Sequence, residues 1–244
     1  MPLKEEFEKT GNWLFQRRSY LPFLIVPLLL LALRHSEQVE VVFGSTAQTL
    51  WEVFCITLSF LGFAFRCLTL GWVAEGTSGR NTKGQLAESL NTEGVYSVVR
   101  HPLYLGNFLI MFGFSLFVEV WWFALAMVFL FWIYYEKIMF AEEEFLRRKF
   151  GLAYEKWANE TPVFWPDLKK WKRPSRKFSV KMILRREYSG FFGIIAAFIG
   201  LKILANWLAE GEFKFRIFWG VAFLGGLTVY LVLRTLRRKT NLLK

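Results

Sequence analysis

The chain has 244 residues, 54% hydrophobic and 19% aromatic, with 11 Trp, 27 Phe and a mean hydropathy of +0.30. That balance excludes an ordinary soluble domain and points to a polytopic membrane protein of the all-α class. The formal charge of +11 comes from basic residues that flank apolar runs instead of lining one groove, so anionic headgroups, and not nucleic acid, are their expected counterpart.

In chain order the apolar runs imply about six helical crossings, each near the ~20 residues a bilayer requires. The first, Tyr20 to Leu33, follows Arg17 and Arg18; it lacks a small-residue cleavage site and is expected to be a retained anchor, extended by Trp13 to Phe15 and kinked at Pro22 and Pro27. The second runs from Leu50 to Val73, with Arg66 marking the approach to an interface. Cys55 and Cys67 lie in that stretch with neither metal-ligand nor disulfide spacing, so no metal is expected. The third and fourth, Pro102 to Val118 and Val120 to Phe140, are separated by so little polar sequence around Glu119 that they form a tight antiparallel hairpin. The last two are Gly190 to Leu208 and Phe215 to Leu233. Ionisable residues in mid-span are sparse, which argues against a transporter.

Lys and Arg gather on one side of these spans: Arg17 and Arg18, the loop from Val73 to Arg100, the segment from Lys137 to Arg186, and the tail from Arg234 to Lys244. The positive-inside rule makes that side cytoplasmic, with both termini there; in a bacterium the membrane is the inner one. Two polar segments share this face. Glu75 to Glu93 is rich in turn formers. Ala141 to Glu187 opens on Glu142-Glu143-Glu144, continues as a helix through Phe150-Gly151 and becomes strongly basic from Lys169, with Trp157, Phe164, Trp165 and Trp171 suited to the membrane interface. The chain divides accordingly into a transmembrane pair (1–74), a core of loop, hairpin and helical segment (75–187), and a second pair with a basic tail (188–244).

Residues Gly94 to Gly106 read G-V-Y-S-V-V-R-H-P-L-Y-L-G. Proline suits the first turn of a helix and pushes the residue before it toward extended backbone, so His101 stands just outside a helix that begins at Pro102. The free N–H groups of that turn attract an anion. The hairpin returns Glu142 to the face that carries His101 and Tyr104, with the Glu75 to Glu93 loop nearby. An acid, a histidine, Tyr96, Tyr104 and a helix N-terminus suit a zwitterion, and the tyrosine rings suit a sulfonium. Glu143 and Glu144 are expected on a solvated helix face. Arg80 and Arg100 are candidates for binding an anion.

Taken with Glu142-Glu143, Phe150-Gly151-x-x-Tyr154 and Pro162-x-x-x-Pro166, the elements Gly94-Val95-Tyr96 and Arg100-His101-Pro102-x-Tyr104-x-Gly106 resemble the isoprenylcysteine carboxyl methyltransferase and phospholipid methyltransferase superfamily, over roughly Asn81 to Asp167. The resemblance implies S-adenosyl-L-methionine as cofactor. It places His101, Pro102, Leu103 and Tyr104 in the cofactor segment, Tyr96 as an upstream aromatic contact and Glu142 as the first functional carboxylate. It also sets Glu88, Ser89, Leu90 and Asn91 in a covering loop and Asn81 as a further polar contact. One departure is Ile138, where eukaryotic prenylcysteine enzymes place an arginine.

The expected activity is methyl transfer to a polar, anionic group of a membrane lipid or lipidated substrate. An anionic oxygen needs only orientation, for which Arg80 and Arg100 are the catalytic candidates, whereas an amine needs a neutral base that the sequence does not reveal. Thr77 to Thr82, T-S-G-R-N-T, resembles bacterial relatives that methylate lipid phosphates such as the lipid A 1-phosphate. The alternatives are carboxyl methylation of the isoprenylcysteine type, N-methylation of a phospholipid amine, an NADPH-dependent membrane reductase and a non-enzymatic membrane scaffold.

Overall fold

The computed structural model describes residues 2–18, 20–34, 38–74, 85, 87–211 and 217–240. Helices α1 (Leu3–Arg17), α2 (Val26–Leu33), α3 (Gln38–Trp72), α4 (Val95–Val98), α5 (Pro102–Phe117), α6 (Trp121–Phe150), α7 (Leu152–Glu160), α8 (Val180–Glu210) and α9 (Ile217–Lys239) follow in order. No strand occurs among the described residues, only an isolated antiparallel bridge between Gly94 and Lys172. Val42–Trp72, Trp121–Phe150, Val180–Leu208 and Ile217–Lys239 are long and apolar enough to cross a membrane, and Phe23–Leu33 and Pro102–Phe117 are shorter apolar helices. The chain is an all-α integral membrane protein.

The start of the chain departs from expectation. Trp13 to Phe15 do not extend the first apolar run: they belong to α1, a separate helix with Glu5 and Glu6 in its first turn. The chain then passes through a 3-10 turn, Leu21–Ile25, before α2 begins at Val26. Pro22 and Pro27 each lack an N–H, so one continuous helix across both would lose two backbone bonds; Pro27 instead falls in the first turn of α2, where no donor is required.

The chain forms two compact units, Met1–Val26 with Trp72–Leu105 and Val128–Phe178, and Pro27–Gly71 with Gly106–Met127 and Ser179–Lys244. In the second unit small residues bring α3 and α5 close. A Cβ on Gly62 would stand 2.6 Å from the Gly106 carbonyl oxygen, and one on Gly113 would stand 2.6 Å from that of Cys55. Ser59 Oγ donates to Ile110 O at 3.0 Å across the same seam. Gly106, the last residue of the sequence motif, is therefore a packing residue. A core of Cys55, Phe117, Ile194 and Phe198 closes the unit, and Glu119, with φ 62°, makes the turn after α5.

This unit also joins residues that are far apart in the sequence. Arg66 is paired inside the unit: its guanidinium bonds Glu187 at 3.2 and 2.7 Å and Asn107 Oδ1 at 2.6 Å, tying α3, α5 and α8 together. Lys202 and Glu52 add a second pair at 2.6 Å, so the spans hold matched charges, not an absence of charge. Helix α8 starts at Val180, capped by Ser179 Oγ on Met182 N at 3.2 Å. Lys181, Arg185, Arg186 and the buried Glu187 are thus helical, on the same helix as the apolar run that begins at Gly190.

Candidate functional site

The site lies in the first unit. Gly94, with φ 60° and ψ −131°, turns the chain into α4, and Ser97 Oγ donates to Gly94 O at 2.7 Å. Positive φ is where glycine is favoured, which accounts for the first residue of the motif. Val99 is then extended (φ −154°, ψ 138°), and the next two backbone donors are taken by the 162–163 segment: Arg100 N to Pro162 O at 2.8 Å and His101 N to Val163 O at 3.3 Å. Asp167 N to Val98 O at 3.0 Å and Trp157 Nε1 to Tyr96 O at 3.0 Å complete the clamp. α5 begins at Pro102, and Tyr104 N and Leu105 N both donate to His101 O at 3.1 Å, so the helix start expected from the proline is present.

Opposite this junction, α6 supplies its acids. Tyr104 Oη donates to Glu142 Oε2 at 2.7 Å. Glu143 takes Arg100 Nη1 on one oxygen and His101 Nε2 on the other, each at 2.9 Å. His101 is buried, and the Arg100 and Glu143 side chains are only 16% and 19% exposed, so this is a half-buried, charge-assisted set and not a surface pair. If the imidazole is neutral, the carboxylate selects the tautomer with its proton on Nε2 and leaves Nδ1 as an acceptor. The rings of His101 and Tyr104 stack with centroids 5.6 Å apart, and Tyr104 meets Tyr135 at 5.0 Å.

The expectation that Glu143 and Glu144 form a solvated face is overturned. Glu143 joins Arg100 to His101, and Glu144 is buried between Lys4 at 2.8 Å and Arg147 at 2.6 Å. The approach of α1 that brings Lys4 here depends on Gly11, where a Cβ would overlap the Lys137 carbonyl oxygen. Tyr154, from α7, is fully buried; its Oη and the Arg100 Nε are buried without a hydrogen-bond partner among the described residues. Desolvation, and then the Glu143 carboxylate, push the Tyr154 phenol above its usual range, so it stays protonated and able to donate.

Of the residues expected in the site, His101, Tyr104 and Glu142 converge, with Arg100 joined to them through Glu143. Pro102 is buried at the start of α5, Leu103 is half-buried beside it, and Tyr96 is half-buried on α4. Glu88 and Ser89 are exposed, and Leu90 and Asn91 half-buried. Arg80 and Asn81 lie outside the described residues. Sequence reasoning missed Glu143, Tyr135 and Gln85, whose amide lies 3.2 Å from both Ala141 O and Glu142 N. Adjacent Arg100 and His101 on a buried turn were the signal that a second carboxylate had to be present. Tyr154 stood in the motif but without a role.

Two bacterial proteins are similar over 113 residues at 31% identity: the nickel-cobalt-cadmium resistance protein NccN of Alcaligenes xylosoxydans and the cobalt-zinc-cadmium resistance protein CzcN of Cupriavidus metallidurans. The match covers 46% of this chain and 50% of each relative, so the chain spans about half the length of the curated relatives it matches. No solved structure matches it significantly. Because the segment that carries the His101, Tyr104, Glu142 and Glu143 cluster is also the segment that the phospholipid methyltransferase family model matches, residues 53–153, the resemblance to that superfamily read from the motif is borne out.

Proposed function

We propose that this chain is an S-adenosylmethionine-dependent methyltransferase acting on a polar, anionic group of a membrane lipid or lipidated substrate, from the cytoplasmic face. The observation that carries the reading is the paired chemistry of the buried cluster. At one end stand the Glu142 carboxylate and the rings of Tyr104 and Tyr135, which suit a cation. At the other stand Arg100 Nε and Tyr154 Oη, buried donors beside the Glu143 carboxylate that already holds Arg100, whose remaining hydrogen-bonding capacity suits a polar end of a ligand. That set suits the methionine part of S-adenosylmethionine, which carries a carboxylate and an ammonium close to the sulfonium. When bound, the cofactor supplies a methyl carbon already activated for in-line displacement, so positioning is the main task left to the protein.

The residues divide that task. Glu143 holds the Arg100 guanidinium and the His101 ring in fixed orientation, and the 162–163 backbone holds the turn beneath them. Arg100 is therefore partly neutralised, and orientation of an anionic acceptor falls more heavily on Arg80 than sequence alone suggests. A lipid phosphate, the lipid A 1-phosphate first, is the acceptor to test. The relatives' names concern resistance to divalent metals; methylating a lipid phosphate removes negative charge that such cations bind, which is compatible with a role of that kind here. One observation favours a second reading: Glu143 engages His101 only through Nε2, and in a neutral ring Nδ1 would then be a base of the kind an amine acceptor needs, which suits N-methylation of a phospholipid amine.

The test is incubation of membranes, with and without the protein, with methyl-labelled S-adenosylmethionine, followed by mass spectrometry of the lipid extract. A labelled phosphate ester supports the first reading and a labelled amine the second. Calorimetric binding of S-adenosylmethionine and not NADPH separates both from a reductase. Cofactor binding that survives His101→Ala and Glu142→Ala returns the chain to the scaffold reading.

A further inference from the structure

The segment from Trp171 to Phe178 is used by none of the chemistry above, yet it is held firmly. Gly94 N donates to Lys172 O at 2.9 Å, Lys172 N to Ser97 Oγ at 2.9 Å, and Ser175 N to Glu93 Oε2 at 2.7 Å. Pro174 packs on Gly94 so closely that a Cβ there would stand 3.1 Å from its ring. These anchors shape a cleft of about 610 Å³ lined by Trp72, Trp171, Arg173, Arg176 and Lys177. Trp72 meets Trp171 at 5.8 Å and Phe178 at 5.0 Å, edge to face in both cases.

Two independent features identify the occupant. The first is depth. Trp72 is the last residue of the apolar helix Val42–Trp72, which puts the cleft at the end of a membrane-spanning segment, the level where indole rings and lipid headgroups meet. Trp171 and Phe178 are 46% and 43% exposed there, apolar enough to lie against the acyl boundary. The second is charge. Arg173, Arg176 and Lys177 are exposed and form no salt bridge among the described residues; the neighbouring acid, Glu93, accepts from the Ser175 N–H and offsets part of the Arg176 charge, which leaves the rim strongly positive. A cleft with an aromatic floor and three cations at its rim matches a phosphate-bearing headgroup whose glycerol and first methylenes rest on the rings.

We infer that this cleft is a binding site for the headgroup of an anionic phospholipid, separate from the His101 cluster and independent of the methyltransferase reading. Its occupation would seat the 171–178 segment in the headgroup layer and, through the Gly94–Lys172 bridge, fix the level of the α4 turn that leads to Arg100.

The experiment uses the full chain, purified in a neutral detergent and titrated with phosphatidylglycerol or phosphatidylcholine, with bound lipid counted by native mass spectrometry. The wild type is expected to retain phosphatidylglycerol in preference to phosphatidylcholine. The triple variant Arg173→Gln, Arg176→Gln, Lys177→Gln is expected to lose that preference by up to about a hundredfold, at roughly fivefold per cation near a membrane surface. Trp171→Ala is expected to weaken retention of both lipids. The charge-matched control, Arg237→Gln, Arg238→Gln, Lys239→Gln in the last turn of α9, is expected to keep the preference. Arg173→Lys with Arg176→Lys checks folding, since it keeps the charge and should keep the binding. No preference in the wild type, or equal losses in the cleft and control triples, would overturn the assignment.

Discussion

Glu142 and Glu143 are adjacent in sequence and are expected to separate cleanly by mutation, because their partners differ in kind. Glu143→Gln keeps the side chain's size and one acceptor oxygen but removes the charge facing Arg100 and His101, both bonded at 2.9 Å. Hydrogen bonds to charged groups contribute about 1.5–3 kcal/mol each. The amide can accept from only one of the two donors and turns its NH2 toward the other, leaving a guanidinium that is only 16% exposed without its carboxylate. The expected loss is about 2–4 kcal/mol, roughly one charged bond plus part of the cost of an unneutralised charge. For a chain of this size that is a fall of about 5–10 °C in melting temperature. Glu142→Gln keeps an acceptor for Tyr104 Oη and strands no cation among the described residues, so stability should change by less than ~1 kcal/mol. Its effect should fall on S-adenosylmethionine affinity, by about tenfold, the ~1.4 kcal/mol of one charge interaction. Thermal unfolding in detergent and calorimetric titration of the cofactor read the two effects separately. Equal melting temperatures for the two variants, or a lower one for Glu142→Gln, would refute the division of labour.

Tyr104→Phe removes the 2.7 Å bond to Glu142 while keeping the ring stack, and should weaken cofactor binding by about tenfold with little change in melting temperature, as titration of the purified variant will show. Gly106→Ala places a Cβ 2.9 Å from Gly62 O and onto the Arg66 side chain; a destabilisation of about 1–3 kcal/mol is expected in denaturation measurements. Arg66→Leu and Glu187→Leu should each cost about 3–5 kcal/mol, and the double variant less than either, a non-additivity that a double-mutant cycle on unfolding will detect. The Glu93 carboxyl is held below its ordinary range, first by its hydrogen bond from Ser175. A depressed carboxylate stabilises the fold above its unfolded pKa, and that contribution disappears as pH falls through the native value. Limited proteolysis of the 171–178 segment should therefore rise on acidification in the wild type, and already be high at neutral pH in Glu93→Gln.

The elements legible in the sequence were those governed by local chemistry. Pro102 announced the start of α5 because a proline has no N–H to lose in a first turn, and the tight turn at Glu119 followed from the lack of polar residues between two apolar runs. The convergence of Glu142 on Tyr104 followed from hairpin length alone. The reading failed where a residue's partner is far away along the chain. Glu143 and Glu144 looked solvated because their cations stand elsewhere in the chain, Arg100 and His101 in the turn before α5 and Lys4 on α1. The partner of Arg66 was not legible because Glu187 lies 121 positions later. That pairing depends on α8 beginning at Val180.

By itself, then, the sequence determined the class of the protein, the apolar runs, the helix start at Pro102 and the motif that resembles a methyltransferase superfamily over roughly Asn81 to Asp167, since hydropathy, proline geometry and spacing are properties of the chain read locally. Only the tertiary structure decided which carboxylate faces which cation, why Gly106 must be glycine, and where the cations of the Trp72–Trp171 cleft gather. Those facts depend on three-dimensional proximity, and a buried charge or a missing Cβ has no meaning until the atoms that press against it are in place.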